Sequence, residues 1–492
     1  MSEPTIIEAK TICDLMPVCT SEDCSLVTKA FNFAKVAHAG QLRKNGEPYF
    51  NHVFATGMNL AKLEMDAVTI AAGIMHDVLE DTDITVAEMK KEFGDEIVFL
   101  VEGVTKLGTL KYQGIERHAE SLRKFFVAMA HDIRVVIIKL ADRLHNVDTI
   151  EHLTVDKQKR VALETLEIHA RLADRLGMGK LKAELEDGAF PFAFPEEYER
   201  VKKLIEEKID LSDEHLQDVS KTLTEELELL DVKIIRMDKR TKHLYSLWEK
   251  LKKHSFDIEK IYDIIALRII VKSIPECYQA LGVIHGLYKP LPGRIKDYIA
   301  IPKPNGYRSL HTTIFDGAGG TFEVQIRTEE MHRDAQFGVA SHLRYKEKFG
   351  KINKEKIKEK TDWTQDLLVM QAESTEHSEF LSHLKMDFFE NRVFVYTPKG
   401  DVIELPEGSS PIDFAYAIHT DLGTHLSSAK VNNKMASLNT ELKRGDIVEI
   451  VTNPKSIPNR KWINLCKTSN AKKHIKAYLK THGSALDRLF IK

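Results

Sequence analysis

The chain has 492 residues, of which 43% are hydrophobic and 29% are charged, and its formal net charge is −3. A chain of this length is too long for one hydrophobic core, so we expect two to four domains. The strongly apolar runs 133–141 and 264–271 are short and contain charged residues, which excludes them as membrane-spanning helices. The first ten residues lack the basic and apolar segments of a signal peptide. We therefore expect a cytoplasmic protein without membrane contact.

The five cysteines stand at positions 13, 19, 24, 277 and 466, with no C-x-x-C pair. An odd, sparse set without metal-type spacing indicates a reducing compartment. The cluster of Cys13, Cys19 and Cys24 has two interpretations, redox-active thiols or incidental ones, and incidental thiols are the commoner case in proteins.

Residues 25–190 predict a mostly helical domain, because apolar residues recur at spacings of three and four while Gly and Pro are few. The segment 188–197 (GAFPFAFPEE) interrupts this pattern with Pro191 and Pro195, and we interpret it as the first domain boundary. A charged helical stretch follows at roughly 196–230 and leads into a mixed α/β region.

Two strands are predicted in the mixed region. Residues 264–271 are rich in β-branched side chains, as in a central strand. Residues 322–328 (FEVQIRT) alternate between apolar and polar side chains, which places Glu323, Gln325 and Arg327 on one face. A polar face of this kind, backed by an apolar one, predicts a lined cleft.

A His-Asp pair in the helical region marks the first candidate site. In MHDVLEDT (75–82), a helical pattern would put His76 and Glu80 on one face and Asp77 and Asp81 on another. Such a pair is weak evidence alone, since these residues are usually exposed helix polars. Glu80 and Asp81 are candidates for orienting or deprotonating a water molecule.

Two further segments strengthen this site. His52 lies in the turn-prone GEPYFNH (46–52), and LADRLHN (140–146) supplies Asp142 and Asn146 at a spacing of four. A mixed imidazole and carboxylate set suits a divalent ion such as Mn²⁺, which would polarise a phosphoryl oxygen and activate water. The predicted metal ligands are His52, His76, Asp77 and Asp142.

These segments resemble the HD-superfamily metal phosphohydrolases and, more narrowly, the hydrolase domain of the RelA/SpoT homologue family of long alarmone enzymes. The matching motifs are RKNGEPYFNH, HDVLEDT, GVTKL (103–107) and IKLADRLHN. The resemblance implies removal of the 3′-pyrophosphate from ppGpp or pppGpp with Mn²⁺. It also implies that Arg43 and Lys44 contact the base, and that Asn146 and Thr149 contact the nucleoside.

The second candidate site lies in the mixed region. Pyrophosphate transfer requires cations for the polyphosphate, carboxylates for Mg²⁺ and a base for the attacking hydroxyl. Residues 231–300 carry 14 Lys/Arg and 8 Asp/Glu, a local net charge of +6, which suits a surface facing polyphosphate or nucleic acid. Asp263 stands at the start of one predicted strand, and Glu323 on the other is a candidate base or metal ligand. Tyr307 offers an aromatic face for a purine.

The basic candidates of this site lie in two segments. KRTKHLYSLWEKLKK (239–253) presents its cations on a predicted helix, and GRIKDYIAIPKPNGYRSLHT (293–312) places others around Tyr307. Each residue also has an ordinary alternative, such as a solvated basic helix face or a turn tyrosine. The candidates are Arg240, Lys242, Lys250 and Lys253 in the first segment and Arg294, Lys296, Lys303 and Arg308 in the second.

YSLWEK, IYDIIALRI, GRIKDYIAIPKPNGYRSLHT and FEVQIRT resemble the synthetase domain of the same family, which moves the β,γ-pyrophosphate of ATP to the 3′-hydroxyl of GDP or GTP. The resemblance implies that Asp263 and Glu323 are the catalytic acids and Mg²⁺ ligands and that Tyr307 stacks on guanine. It further implies nucleotide binding by Arg240, Lys242, Lys250, Arg294, Lys296, Lys303, Asn305 and His311. The basic motif at 294–297 resembles that of bifunctional members.

Residues 393–452 resemble a TGS domain, a small β-grasp unit, through TPKGDVIELPEGSSPIDFAYAIHTDLG and LKRGDIVEI. This resemblance implies contact with tRNA or the ribosome, with His419 near the tRNA end. The alternative is a structural spacer in which His419 is an ordinary surface residue.

The sequence thus predicts a multidomain α+β protein. Its all-helical HD-type domain, mixed α/β nucleotidyltransferase-like synthetase domain and β-grasp TGS domain span 1–195, 231–346 and 391–453, with helical linkers at 196–230 and 347–390 and a basic tail at 454–492. The predicted function is a bifunctional alarmone enzyme that acts on ATP, GDP or GTP, and ppGpp or pppGpp. Two alternatives are a hydrolase whose synthetase domain is only regulatory, and a ribosome- or tRNA-associated sensor without catalysis.

Overall fold

The computed structural model describes residues 4–17, 19–105, 129, 131–303, 305–315, 320–343 and 392–483. The chain divides into two compact units, Met1–Leu368 and Val369–Lys492. The end of the GVTKL motif and the predicted linker at 347–390 lie outside the described residues. None of the described helices is long and apolar enough to cross a membrane.

The first domain is helical in its described part, as predicted. Apolar residues at helical spacing form its core, in which Phe31, Leu60, Ile70, Ile74 and Leu100 are fully buried. Its helices are α1 (Pro4–Leu15), α2 (Ser21–Ala37), α3 (Phe50–Lys62), α4 (Ala67–Ile74), α5 (Val78–Asp81), α6 (Val86–Thr105), α7 (Arg134–Asp148), α8 (Val155–Glu164), α9 (Ala170–Arg175) and α10 (Gly179–Ala193).

The HDVLEDT segment does not form the continuous helix that the sequence predicts. Helix α4 ends at Ile74, residues 75–77 form a turn, and α5 begins at Val78. The buried ring of His76 supplies the reason, because its Nδ1 lies 2.7 Å from the carbonyl oxygen of Gly73. That oxygen would accept the amide of Asp77 in a continuous helix, so the side chain competes with the backbone. The prediction of shared helix faces across 76–81 is therefore wrong.

The predicted boundary at 188–197 contains a single non-helical residue. Helix α10 continues through Pro191, and Phe194 (φ −141°, ψ 69°) separates it from α11 (Pro195–Leu229). Pro195 occupies the first turn of α11, where its missing amide hydrogen costs little. The rings of Phe194 and Trp248 lie 4.6 Å apart. Aromatic packing thus fixes the turn between the two helices.

Helix α11 differs from the linker predicted at 196–230. Its buried residues Val219, Leu223 and Leu227 belong to the same apolar cluster as Leu267 in the sheet described next. The spacing of four places these residues on one face, while the charged residues that suggested a linker occupy the others. Helix α11 is therefore part of the core of the second domain.

A five-stranded sheet, counted over the described residues, organises the second domain. Its order is β1-β2-β5-β4-β3, and only β2 and β5 are parallel. Both predicted strands are confirmed, and Glu323 on β5 lies between Ala266 of β2 and Thr313 of β4. The elements are β1 (Ile234–Thr241), α12 (Leu244–Lys253), β2 (Ile265–Val271), α13 (Ile274–Leu287), β3 (Lys296–Asp297), β4 (Leu310–Phe315), β5 (Thr321–Thr328), α14 (Glu329–Phe337) and α15 (Ala340–Leu343).

The second unit contains small antiparallel sheets, β6-β7 and β10-β8-β9, as expected for a β-rich domain. Its elements are β6 (Arg392–Tyr396), β7 (Val402–Pro406), α16 (Pro411–Ile418), α17 (Thr420–Thr424), β8 (Leu426–Val431), β9 (Lys434–Ala436), β10 (Val448–Thr452), α18 (Arg460–Leu465) and α19 (Ser469–His482).

The predicted tail at 454–492 contains structure in its described part. Trp462 and Ile475 of its two helices are buried in one apolar cluster with residues of the β-rich domain. The fully buried carboxylate of Asp413 accepts hydrogen bonds from the amide and hydroxyl of Thr468, each at 2.8 Å. A buried carboxylate requires such donors, and they attach these helices to the domain.

The helical domain and the sheet domain are in direct contact. Arg333 of α14 forms an ion pair with Glu64, and Asn305 Nδ2 lies 3.4 Å from Asp174 Oδ1. Gly338, which follows α14, approaches the backbone after α9 closely enough that only glycine fits. These contacts join the two predicted sites into one unit.

Replacing Gly338 by alanine should lower the free energy of unfolding by more than about 1 kcal/mol. Gly338 has φ +56°, and an added Cβ would lie 2.1 Å from Leu176 O and 2.4 Å from the carbonyl carbon of Gly177. Gly94→Ala is the matched control, since its φ is +80° with no atom within 4 Å. Urea unfolding of both variants measures the difference. An equal loss of unfolding free energy in Gly338→Ala and Gly94→Ala would mean that the backbone contact at Gly338 is not tight.

Glu186 on α10 should make unfolding depend on pH. Burial raises its pKa from the ordinary 4.5 to about 7, although Lys182 opposes this shift. Between these values the unfolded chain loses the proton first, so stability falls as pH rises from about 4.5 to about 7. Glu186→Gln should therefore be more stable than the wild type at pH 8, by up to about 3 kcal/mol, and equally stable near pH 4. The exposed Glu206→Gln should show no such difference in urea unfolding, and a pH-independent effect of Glu186→Gln would contradict the assignment.

Candidate active sites

The four predicted metal ligands converge in the helical domain. His52 Nε2 lies 3.1 Å from Asp142 Oδ1 and 3.5 Å from Asp77 Oδ2. His76 Nε2 lies 3.1 Å from Asp77 Oδ2 and 3.7 Å from Asp142 Oδ1. Both imidazoles and Asp142 are almost fully buried. Helices α3 and α7 and the turn after α4 therefore bring residues distant in sequence to one point.

The orientation of His76 fits a metal ligand. Its Nδ1 donates to the carbonyl of Gly73, which leaves Nε2 facing the two carboxylates. This buried Nε2 has no hydrogen-bond partner among the described residues. Although burial opposes protonation, Asp77 and Asp142 raise the pKa of His76 to about 10. The centre therefore attracts positive charge, whether a proton or a divalent cation.

The two carboxylates are held ionised. Burial opposes ionisation of Asp77, but His76 and His52 keep its pKa well below the ordinary value. Burial also opposes ionisation of Asp142, but Lys139 and the same two imidazoles keep the pKa of Asp142 well below the ordinary value. Two anionic and two imidazole ligands form a donor set suited to a divalent transition metal.

His145 and Tyr49 contact predicted metal ligands, and the sequence reasoning did not include them. His145 Nδ1 lies 2.8 Å from His52 Nδ1, and the Tyr49 hydroxyl donates to Asp77 Oδ2 at 2.7 Å. Burial, helped by His52 and Arg43, lowers the pKa of His145 to about 4, so its ring is neutral and its Nδ1 can accept a hydrogen bond from His52 Nδ1. Both residues lie within the quoted motifs: Tyr49 is three residues before His52, and His145 is three residues after Asp142. This closeness to predicted ligands was the signal that could have identified them.

The predicted substrate residues lie around this centre. Arg43 Nη2 donates to Asn146 Oδ1 at 2.9 Å, and its Nη1 donates to Thr149 Oγ1 at 3.1 Å. Lys44 beside it is exposed. Glu80 and Asp81 are also exposed as whole residues. Partial desolvation of the Glu80 carboxyl, together with the negative charge of Asp77, raises the pKa of Glu80. A carboxyl with a raised pKa next to a metal centre is suited to proton transfer.

The sheet domain places Asp263 between two lysines. Its Oδ2 accepts Lys242 Nζ at 2.7 Å and also contacts Lys250 Nζ. Burial opposes ionisation, but both lysines hold the pKa of Asp263 far below its ordinary value. Burial and the neighbouring Lys250 lower the pKa of Lys242 to about 7, against the attraction of Asp263. The result is a compact cluster of one carboxylate and two lysine amino groups.

Glu323, His311 and Tyr307 form a chain of hydrogen bonds. His311 Nδ1 lies 2.9 Å from Glu323 Oε1, and the Tyr307 hydroxyl lies 2.8 Å from His311 Nε2. Burial lowers the pKa of His311, so one ring nitrogen donates to the carboxylate and the other accepts from the phenol. Burial opposes ionisation of Glu323, yet its hydrogen bond with His311 lowers its pKa to about 2. Glu323 is therefore an anion at neutral pH.

One placement in this region was wrong. Arg240 lies on β1 and Lys242 in the loop after it, whereas only Lys250 and Lys253 lie on the predicted helix, which is α12. The reason is that β1 pairs with β2 up to Thr241. Arg240 Nη1 reaches Gln325 on the polar face of β5, at 2.9 Å.

Among the other basic candidates, Lys296 lies on β3, and Arg294, Lys303 and Arg308 lie in the loops on either side of it, before β4. Lys303 Nζ lies 4.8 Å from the ring centroid of Tyr307, whereas Arg294 and Lys296 are exposed. The amide of Asn305 donates to Asp174 of the helical domain at 3.4 Å, and its Oδ1 accepts the backbone amide of Tyr307 at 3.2 Å. Arg308 pairs with Asp334 at 3.3 Å.

Sequence reasoning also missed two arginines near the polar strand face. Arg268 on β2 pairs with Asp238, and Arg236 Nη2 lies 2.6 Å from His332 Nε2. Burial, with smaller effects of Arg268 and Arg240, lowers the pKa of Arg327 to about 10. Arg268 lies on predicted strand β2, directly opposite Gln325 of β5. This pairing with the polar strand was the signal that could have identified Arg268.

In the second unit, His419 precedes α17 and is exposed. Its Nδ1 accepts the amide of Asp421 at 3.2 Å. The ring thus caps a short helix, which is a structural role, and remains accessible.

Comparison with known proteins finds three matched regions in the chain. An HD domain model matches residues 30–179, a model of the region found in RelA/SpoT proteins matches 239–349, and a TGS domain model matches 393–452.

Similar proteins carry names of both enzymatic types. The chain is 46% identical over 455 residues to a guanosine-3′,5′-bis(diphosphate) 3′-pyrophosphohydrolase of Aquifex aeolicus, over 92% of this chain and 64% of that protein. It is 43% identical over 462 residues to a GTP pyrophosphokinase of Myxococcus xanthus, over 93% of this chain and 61% of that protein. It is 42% identical over 453 residues to the bifunctional (p)ppGpp synthase/hydrolase SpoT of Escherichia coli, over 92% and 64%.

The chain spans less than two thirds of the length of these relatives. The order of the matched regions and the identity over nine tenths of the chain confirm the resemblance drawn from the motifs. The chain belongs to the RelA/SpoT family, with an HD domain, a RelA/SpoT region and a TGS domain in that order.

Proposed function

We propose that this chain is a bifunctional alarmone enzyme of the cytoplasm. It hydrolyses the 3′-pyrophosphate of ppGpp and pppGpp in the HD domain, and it makes them from ATP and GDP or GTP in the sheet domain. One observation carries the proposal: a single chain keeps both a converged His/Asp centre and a separate cationic cleft with ionised acids. An inactive synthetase domain would have no need to hold the half-buried Asp263 and the buried Glu323 in ionised form.

In the hydrolase site, His52, His76, Asp77 and Asp142 would hold Mn²⁺, because their nitrogen and oxygen donors suit that ion. When bound, the ion polarises the phosphate and activates water. His145 and Tyr49 orient the ligands through His52 and Asp77.

The remaining hydrolase residues act on the substrate. Glu80, with its raised pKa, takes or gives a proton beside the scissile phosphate, and Asp81 assists it. Arg43 is held by Asn146 and Thr149, so its guanidinium is preorganised against the nucleoside, while Lys44 approaches from the exposed side.

In the synthetase site, Asp263 and Glu323 would hold Mg²⁺, since two carboxylates plus substrate phosphates match its usual ligands. The ion supplies charge neutralisation for the transferred pyrophosphate. Lys242 and Lys250, which lie on Asp263 in this structure, provide further positive charge for the polyphosphate. Glu323 accepts the proton of the attacking hydroxyl or ligates the ion; its ionised state serves either role.

The other cleft residues bind the nucleotides. Tyr307 presents its ring to guanine, with Lys303 over its face and its hydroxyl fixed by His311. Arg240, Arg294 and Lys296 extend the positive surface to the phosphates. For the second unit, the accessible His419 supports a contact with tRNA or the ribosome.

The direct test is to incubate the pure chain with ATP and GDP plus Mg²⁺, and separately with ppGpp plus Mn²⁺. We expect ppGpp in the first reaction and GDP with pyrophosphate in the second. Hydrolysis without synthesis would instead support the alternative in which the sheet domain only regulates.

Asp77→Ala should reduce ppGpp hydrolysis at least about 100-fold, because removing even residues that support a ligand costs 10–100-fold. Synthesis from ATP and GDP should remain. Asp83→Ala, an exposed aspartate in the following loop, is the matched control and should hydrolyse normally. Hydrolysis that persists in Asp77→Ala, or in the wild type after chelation, would contradict the metal assignment.

Glu323→Gln should stop synthesis while leaving hydrolysis intact, because the amide keeps the volume but loses the anion. Asp263→Ala should have the same effect for the same reason. Thin-layer separation of labelled nucleotides measures both reactions in one sample. Glu249→Gln, a partly exposed glutamate of α12, is the control that should synthesise at the wild-type rate. Near-normal synthesis by Glu323→Gln would mean that its charge is not needed.

A further inference from the structure

Three cysteines near the N-terminus come together in space. The sulfur atoms of Cys13, Cys19 and Cys24 all lie within 4.8 Å of one another. Cys19 Sγ is 3.0 Å from Cys24 Sγ. Cys13 and Cys24, whose Cα atoms lie 5.8 Å apart, are paired as a disulfide in this structure. Neither the hydrolase site nor the synthetase site uses these residues.

The local fold explains this convergence. Cys13 lies in the last turn of α1, Cys24 in the first turn of α2, and Cys19 in the connection between them. A capping box fixes the start of α2, because Thr20 Oγ1 accepts the amide of Asp23 and the Asp23 carboxylate accepts the amide of Thr20. The position of Cys19, just before this cap, is therefore set by the backbone.

Packing fixes the other side of the cluster. Ile12 is fully buried and Cys13 is 6% exposed, so α1 is seated firmly on the helical domain. Cys19 and Cys24 are only half-buried, so the cluster remains open to an ion from solvent. The sulfur atoms are thus preorganised on one side and accessible on the other.

We propose that Cys13, Cys19 and Cys24 form a tris-thiolate site for a thiophilic divalent cation of the Zn²⁺ class. When the Cys13–Cys24 pair is in its thiol form, three sulfur donors converge at one point beside α1 and α2. Thiolates are the preferred ligands of Zn²⁺ in proteins, and four-coordinate binding leaves one position for water or an external ligand. On binding, each ligating thiol releases its proton to solvent. The site joins α1 to α2 and is independent of the proposed catalytic function.

Cobalt substitution separates this site from the His/Asp centre, because only thiolate ligands give an intense sulfur-to-cobalt charge-transfer band. We would titrate the fully reduced, metal-free full chain with Co²⁺ under anaerobic conditions and then displace it with Zn²⁺. The wild type should develop the band at one equivalent per chain. Cys19→Ser, at a half-buried position outside the helices, should weaken Co²⁺ binding at this site by roughly 10-fold or more, with unchanged circular dichroism.

Matched variants make the outcome unambiguous. Cys277→Ser and Cys466→Ser remove buried thiols outside the cluster, and His52→Ala removes a ligand of the other centre; all three should keep the band. The proposal is overturned if reduced wild-type protein shows no band, or if Cys19→Ser keeps full intensity and affinity. A Cys13–Cys24 disulfide that reforms under these conditions and excludes Co²⁺, detected by intact mass, would also overturn it.

Discussion

Both candidate sites depend on keeping carboxylates ionised while they are buried. Asp142 is 3% exposed and Glu323 is 7% exposed, and an isolated buried charge costs several kcal/mol. The helical domain compensates with two imidazoles, whereas the sheet domain surrounds Asp263 with lysines and places His311 on Glu323. The same negative potential that holds these groups would attract a divalent cation. Electrostatic compensation therefore determines which side chains are preorganised for chemistry.

The junction between the two domains positions part of this machinery. The ring of Phe190 on α10 lies 5.2 Å from that of Trp248 on α12, the helix that also carries Lys250. On the far side, Gly338 permits backbone contact that a side chain would block, and Asn305 bonds to Asp174. The position of Lys250 thus depends on the packing of α12 against the helical domain. This explains why α11 belongs to a shared core rather than to a linker.

Much of the molecule follows from local pattern. Helical spacing predicted the first domain, alternation predicted β5, and the β-branched run predicted β2. The motifs also contained all four converging ligands, because His, Asp and their spacing carry the chemistry directly. Where prediction failed, a side-chain hydrogen bond or a strand pairing had overruled the local helical pattern. His76 breaks its helix by bonding to Gly73, and strand pairing moves Arg240 from a helix to β1.

By itself, the sequence determined the family, the fold class and the residue types of both sites, since motifs and periodicity are properties of neighbouring residues. Only the tertiary structure decided which side chains meet. His145 reaches His52 across 93 positions of sequence, three cysteines without metal-type spacing converge through a capped helix, and Asp413 holds a segment 55 residues away. Burial is the physical reason, because a polar group removed from water must find its partner wherever the fold brings one.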